Sequence, residues 1–143
     1  MKKFDFNLFF FRGEFNGITQ VSTETDLINH MGKPDDVEDY GDNGKFFHYG
    51  EIRVSLNRRV EYVDIFFINT DAKFDVSIEE NYFLIDKNTT VSAIVHMLNL
   101  ANLKWVISYE KSNLDYLLIE VGNGLSFYFY LSGDKLERIS LFF

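Results

Sequence analysis

The chain has 143 residues, 46% hydrophobic and 17% aromatic, with 16 Phe and 8 Tyr. That length suits one domain, and the apolar content is ample for a core without metal or disulfide, which excludes intrinsic disorder. The absence of Cys excludes thiolate chemistry and Cys-based metal sites, while 22 acidic against 14 basic residues, net −8, argue against direct binding of nucleic acid phosphates.

The chain opens on Met1-Lys2-Lys3 and an apolar stretch over residues 4–11. Asp5 and Asn7 interrupt that stretch, and Arg12 and Glu14 close it, unlike a signal peptide. Phe4, Phe6, Leu8 and Phe10 fall on one face at period two, which predicts a strand. Residues 22–32 predict a short helix, with Thr23 as N-cap, Asp26 three residues on, and Gly32-Lys33-Pro34 as the stop. Residues 35–43 are acidic and predict a polar loop. Strands follow at 46–49, at Ile52, Val54 and Leu56, and from Val60 to Ile68 beyond a turn at Asn57-Arg58-Arg59. Residues 69–81, polar and acidic, predict a surface crossing into Tyr82-Phe83-Leu84-Ile85. A second helix is predicted over 89–98, with Val91, Ile94, Val95 and Leu98 on one face. Strands then follow at 105–109, 116–121, 125–130 and 136–143, joined by Gly122-Asn123-Gly124 and Ser132-Gly133-Asp134 turns. No window has the ~18 apolar residues of a membrane helix, so a cytoplasmic protein with no membrane partner is expected.

The order helix, strand, hairpin occurs twice. Leu136-Glu137-Arg138-Ile139-Ser140-Leu141-Phe142-Phe143 matches Val60-Glu61-Tyr62-Val63-Asp64-Ile65-Phe66-Phe67, down to the shared Glu and the doubled Phe. The expected fold is α+β: one domain over 1–143, with two helix-plus-antiparallel-hairpin repeats, about 18–68 and 82–143, sharing one mostly antiparallel sheet. The helices are expected on one face. The second repeat is expected to have a strand, at Trp105, that the first lacks or shortens.

Candidate chemistry is sparse. His30, His48 and His96 have no acid at metal-ligand spacing, and none of the nine Ser residues sits in a Gly-x-Ser-x-Gly elbow. Gly122 and Gly124 join strands and open no phosphate-binding helix. The acidic run Asp35, Asp36, Glu38, Asp39 and Asp42 misses the calcium-loop pattern. As solvated loop carboxylates these residues also lack anything to raise one pKa for glycoside hydrolysis. Two readings remain, a solvating loop and a docking surface for a basic partner. Residues 1–80 hold 16 acids and 9 bases, residues 81–143 only 6 and 5, which favours docking. The doubled Phe at 66–67 and 142–143 places an aromatic on both sheet faces. One face is then either partly open, a protein–protein hot spot, or buried as core.

Residues 27–37, Leu-Ile-Asn-His-Met-Gly-Lys-Pro-Asp-Asp-Val, then Tyr49-Gly50-Glu51-Ile52-Arg53-Val54-Ser55-Leu56, resemble small bacterial immunity proteins of contact-dependent or polymorphic toxin systems. Those commonly read helix, Gly-x-Pro, acidic loop, Tyr-Gly and an alternating strand. The doubled layout is also similar to β-lactamase-inhibitor-protein and outer-membrane-assembly lipoprotein folds, from which this chain departs by having no Cys. The resemblance implies a non-enzymatic immunity protein without cofactor, metal or catalytic residue, which occludes a cognate basic toxin domain. Asp35, Asp36, Glu38, Asp39 and Asp42 would steer and pair, imitating substrate phosphates, with Tyr40 and Tyr49 as buried anchors. The alternative is an adaptor or assembly module that binds another host protein through an open sheet face or an edge strand.

Overall fold

A computed structural model describes residues 3–143, so the lead Met1-Lys2 lies outside the described residues. The molecule is α+β, with three helices and a large antiparallel sheet among those residues. Its N-terminal apolar stretch is a helix, not the expected strand. In α1 (Phe6–Arg12), Phe6, Phe9 and Phe10 recur at helical spacing and are all buried. Asp5 Oδ1 accepts the Leu8 N–H at 3.1 Å as the N-cap, and Gly13 ends the helix in the left-handed conformation. A strand would have left Phe9 on the face opposite Phe6 and Phe10; one helical stripe buries all three. A Phe-rich run satisfies both periodicities, and docking decides between them. Gly13 also permits a close approach, because a Cβ there would lie 2.2 Å from the Asn123 carbonyl oxygen. The Asn123 side chain donates in turn to the Phe10 carbonyl at 2.8 Å.

The other two helices fall where capping chemistry places them. In α2 (Glu24–Met31), Thr23 and Asp26 form a capping box, and their hydrogen bonds hold the Asp26 carboxyl below its ordinary pKa. In α3 (Val91–Leu100), Thr90 accepts the Ala93 N–H, and Ile94, Met97 and Leu98 are buried.

The strands are β1 (Asp36–Asp39), β2 (Lys45–Tyr49), β3 (Ile52–Asn57), β4 (Arg59–Phe66), β5 (Phe74–Ile78), β6 (Asn81–Ile85), β7 (Trp105–Ile107), β8 (Tyr116–Val121), β9 (Leu125–Tyr130) and β10 (Lys135–Phe142). Eight form one sheet in the order β1-β2-β3-β4-β10-β9-β8-β7, and β5 pairs with β6 separately. Two expectations are corrected here. The acidic stretch at 35–43 is not a loop, because its first part pairs as β1 with β2, Asp36 opposite His48 and Asp39 opposite Lys45. The first half therefore has a strand corresponding in place to the one at Trp105. The connection over 69–81 is likewise not a bare crossing. It contains β5, whose Val76 and Ile78 are buried, and Phe74 stacks on Phe6 with ring centroids 4.5 Å apart.

The β5–β6 hairpin closes through Glu79 and Glu80 at φ 48° and 70°, a two-residue turn with both residues left-handed. That geometry favours Asn-Gly, and two like charges side by side add to the strain. Replacing Glu79→Asn together with Glu80→Gly is expected to raise stability by about 1 kcal/mol, read as a higher urea midpoint at unchanged slope.

Alternation sorts the large sheet into two faces. Val63, Ile65, Ile139 and Leu141 of the central strands lie on one face with Phe127, Phe129 and Val54. They join the buried residues of all three helices in one core. Each large apolar side chain fully buried there contributes about 1.5–3 kcal/mol. Tyr62, Asp64, Phe66, Arg138, Ser140 and Phe142 occupy the other face of the same two strands. No helix among the described residues is long and apolar enough to cross a membrane.

Candidate binding surface

β1 is an edge of the sheet, with β2 on one side and, among the described residues, no strand on the other. It places the predicted acids in different settings. Asp35 Oδ2 accepts the Gly50 N–H at 2.7 Å and so braces the β2–β3 turn. Asp39 Oδ1 accepts the Gly41 N–H at 2.9 Å and shapes the 3-10 turn over Gly41–Asn43. Glu38 takes a hydrogen bond from the Tyr40 hydroxyl and lies 2.7 Å from His48 Nε2. Asp36 and Asp42 are exposed, and their side chains make no hydrogen bond or ion pair among the described residues. Tyr40 is 54% exposed, its ring edge-on to Phe46.

Tyr49 does not belong to this surface. It is 1% exposed, on the core face, and its hydroxyl donates to the Gly32 carbonyl at 2.9 Å. Burial, then the nearby Asp35 charge, push its pKa up to about 12. Its expected role as a partner anchor is corrected: the ring holds α2 to the sheet. A Tyr and a strand position can be read from sequence; which face the strand turns inward cannot.

Hydrogen bonds from Tyr40 and then His48 hold the Glu38 carboxyl below its ordinary value, and the Tyr40 hydroxyl is correspondingly raised. A depressed carboxyl pKa stabilises the fold above the unfolded value, and the contribution disappears as pH falls through the lower folded value. Glu38→Gln is therefore expected to lower stability on the neutral plateau and to leave it little changed at the acid end, so that the fall in stability below about pH 4.5 is shallower, measured by urea unfolding at stepped pH.

From β1 the face away from the helices continues across the sheet. His48, Arg53, Asp64, Ser140, Ser126 and Glu120 lie directly opposite one another on successive strands. Arg53 donates to Asp64 Oδ2 at 2.7 Å, with its guanidinium carbon 4.6 and 4.8 Å from the ring centres of Phe46 and Phe66. Asp64 is 1% exposed and also receives the Ser140 hydroxyl. Phe142 is 53% exposed and tilted against Tyr62, centroids 5.3 Å apart. The result is a polar row flanked by aromatics, with carboxylates along one edge.

Arg53, Asp64 and Arg138 were not among the predicted site residues. The available signal was a charged residue inside an alternating strand, at the non-core phase: Arg53 between Ile52 and Val54, Asp64 between Val63 and Ile65. A cleft of about 690 Å³ beside the acidic turn is lined by Glu24, Asp42, Lys45 and Arg58, and Lys45 already pairs with Glu24 at 3.1 Å. Among the described residues no three His, Asp or Glu side chains converge as a metal site would require. Strand alternation explains this for β1, since Asp36 and Glu38 project to one side and Asp39 to the other.

Comparison with known proteins finds no matching family model, no matching curated protein and no matching solved structure.

Proposed function

We propose that the chain is a non-enzymatic cytoplasmic immunity protein that binds a cognate basic toxin domain and occludes it stoichiometrically. The observation that carries this reading is the free sheet edge at β1, where Asp36 and Asp42 stand exposed and unpaired beside the exposed Tyr40. Fixed carboxylates on an edge raise the association rate of a cationic partner and pair with its Arg and Lys at short range. An edge strand also offers backbone groups to a partner strand, while its charges discourage self-pairing. The Gly-x-Pro and Tyr-Gly resemblance points the same way.

Tandem duplication belongs to the same proposal. The shift that carries Val60 onto Leu136 carries the pair Tyr62–Phe142 onto Arg138–Phe66, and the pair Val63–Leu141 onto Ile139–Ile65. It also relates two hydrogen bonds, Phe67 N–H to the Glu137 carbonyl at 2.8 Å and Phe143 N–H to the Glu61 carbonyl at 3.0 Å. Both Glu residues are skipped in the pairing with β3 and β9, one bulge in each half.

The test is co-expression with the toxin domain encoded by an adjacent reading frame. Survival is the expected result, and death despite abundant folded protein overturns the proposal. Asp36→Lys with Asp42→Lys is expected to leave the melting temperature little changed, since neither side chain holds a hydrogen bond or ion pair among the described residues. It should slow association with that toxin at least ~10-fold and flatten its salt dependence. The second reading, an adaptor that docks through the open face, is favoured by the exposure of Phe142 beside Tyr62. It predicts that Phe142→Ala weakens binding while the charge reversal does not.

A further inference from the structure

The open face has a second polar feature, far along the sheet from β1. Arg138 lies on β10 with its guanidinium carbon 4.0 Å from the ring centre of Tyr128 on β9. That stacking fixes the plane of the guanidinium but satisfies none of its five N–H donors. Its Nε is buried without a hydrogen-bond partner, and the side chain makes no ion pair among the described residues. The Nε of Arg53, on the other half of the same face, is likewise buried without a partner, but its terminal nitrogen pairs with Asp64 at 2.7 Å. Under the shift that relates the two halves Arg138 corresponds to Tyr62, and the place of the Arg53–Asp64 pair is taken by Ser126 and Ser140, which bring no carboxylate to this part of the face.

Arg138 borders a cleft of about 230 Å³ lined also by Lys111, Asn113, Tyr116, Tyr128 and Glu137. Lys111 Nζ is bound to Glu120 at 3.0 Å, so each already has a partner of opposite charge. Asn113 Oδ1 accepts the N–H groups of Asp115 and Tyr116, so its amide nitrogen remains free to donate into the cleft. Glu137 forms no ion pair with Arg138 within 4.0 Å; it lies instead beside the Tyr130 hydroxyl, which Tyr116 first and Glu137 in addition hold in its neutral form. The cleft therefore presents one unpaired, pre-oriented cation and a neutral donor.

We infer that this cleft is a subsite for a single carboxylate, an Asp or Glu side chain of a polypeptide lying on the open sheet face. The guanidinium fork matches a planar carboxylate in bidentate geometry, which a stacked and immobilised arginine offers at little entropic cost. The cleft, at about 230 Å³, has room for one such side chain. Glu137 disfavours a dianion far more than a monoanion. The inference does not depend on the immunity reading; it requires only that the polypeptide on this face carry an acidic side chain.

The probe is N-acetyl-aspartate N-methylamide, titrated into the full chain at constant ionic strength while the Arg Nε–H resonances are followed by NMR. The expected result is a saturable shift of the Arg138 resonance in the millimolar range and no saturable shift of Arg53. The neutral N-acetyl-asparagine N-methylamide should leave both unmoved. Inorganic phosphate should bind at least ~5-fold more weakly. No saturation with the aspartate probe, an equal response to the asparagine probe, or tighter binding of phosphate would each overturn the assignment. In Arg138→Lys, which keeps the charge and loses the fork, the shift of the Asn113 side-chain amide should need at least ~5-fold more probe. An unchanged response there would also overturn it.

Discussion

Arg53→Met is expected to cost about 3 kcal/mol or more of folding stability, the largest effect of any substitution on the open face. Asp64 is almost wholly inaccessible to water, and the short bond from Arg53 supplies its countercharge. Removing the arginine leaves a buried carboxylate with the Ser140 hydroxyl for company, and that desolvated charge is the source of the cost. The Met side chain keeps much of the packing between Phe46 and Phe66, so lost area contributes little. The Arg53 head is about a quarter exposed, which places the expected value at the lower end of the ~3–5 kcal/mol range for broken buried pairs. The double variant Arg53→Met with Asp64→Leu should recover most of the loss, because no charge is then stranded. Urea unfolding of the wild type, both single variants and the double variant gives the coupling directly. A single-variant loss under about 1 kcal/mol would show that the pair behaves as a surface ion pair.

Gly44→Ala is the second large effect, expected to cost about 2–4 kcal/mol and to displace the acidic edge. Gly44 sits at φ 100° and ψ −169°, outside what an L side chain readily adopts. A Cβ there would fall 2.4 Å from the Leu56 carbonyl oxygen, which is β3 backbone and cannot swing aside. Gly44 also carries the connection from β1 to β2, its carbonyl accepting the Tyr40 N–H at 2.9 Å. Forcing it to move shifts Tyr40 and Asp42 together. Loss of stability accompanied by lost protection of the β1 amides from hydrogen exchange is the expected signature. Lost stability with β1 protection intact would place the strain elsewhere.

Much of this architecture can be read without coordinates. Of the two later helices one is marked by its Thr23 cap and the other by its apolar stripe, and the strands by alternation and by Gly or Asn turns, because these signals are local: each depends on residues a few positions apart. The charge asymmetry is likewise legible, although of the acids in the first half only those from Asp35 to Asp42 lie at or beside the β1 edge. The misreadings share a cause. Residues 4–11 fit either period, and the choice of helix came from contact with Phe74, nearly seventy residues away. The stretch 35–39 looked like loop because charge suppresses strand propensity; it pairs because β2 supplies a ladder on its inner side and its outer side faces water, where charge is tolerated.

The site shows the same division. From sequence come the five acids, Tyr40, and the opposition of an aromatic-rich chain to a carboxylate-rich stretch. Tertiary structure alone decided that Tyr49 points inward to Gly32, that Asp35, Glu38 and Asp39 brace their own surroundings, and that Asp36 and Asp42 are left free. It alone brought Arg53 to Asp64 and left Arg138 without an ion pair among the described residues. Composition determines how much charge a chain carries, but partnership depends on strand order and register. A single sheet joining residue 36 to residue 142 sets those through contacts far apart in the chain.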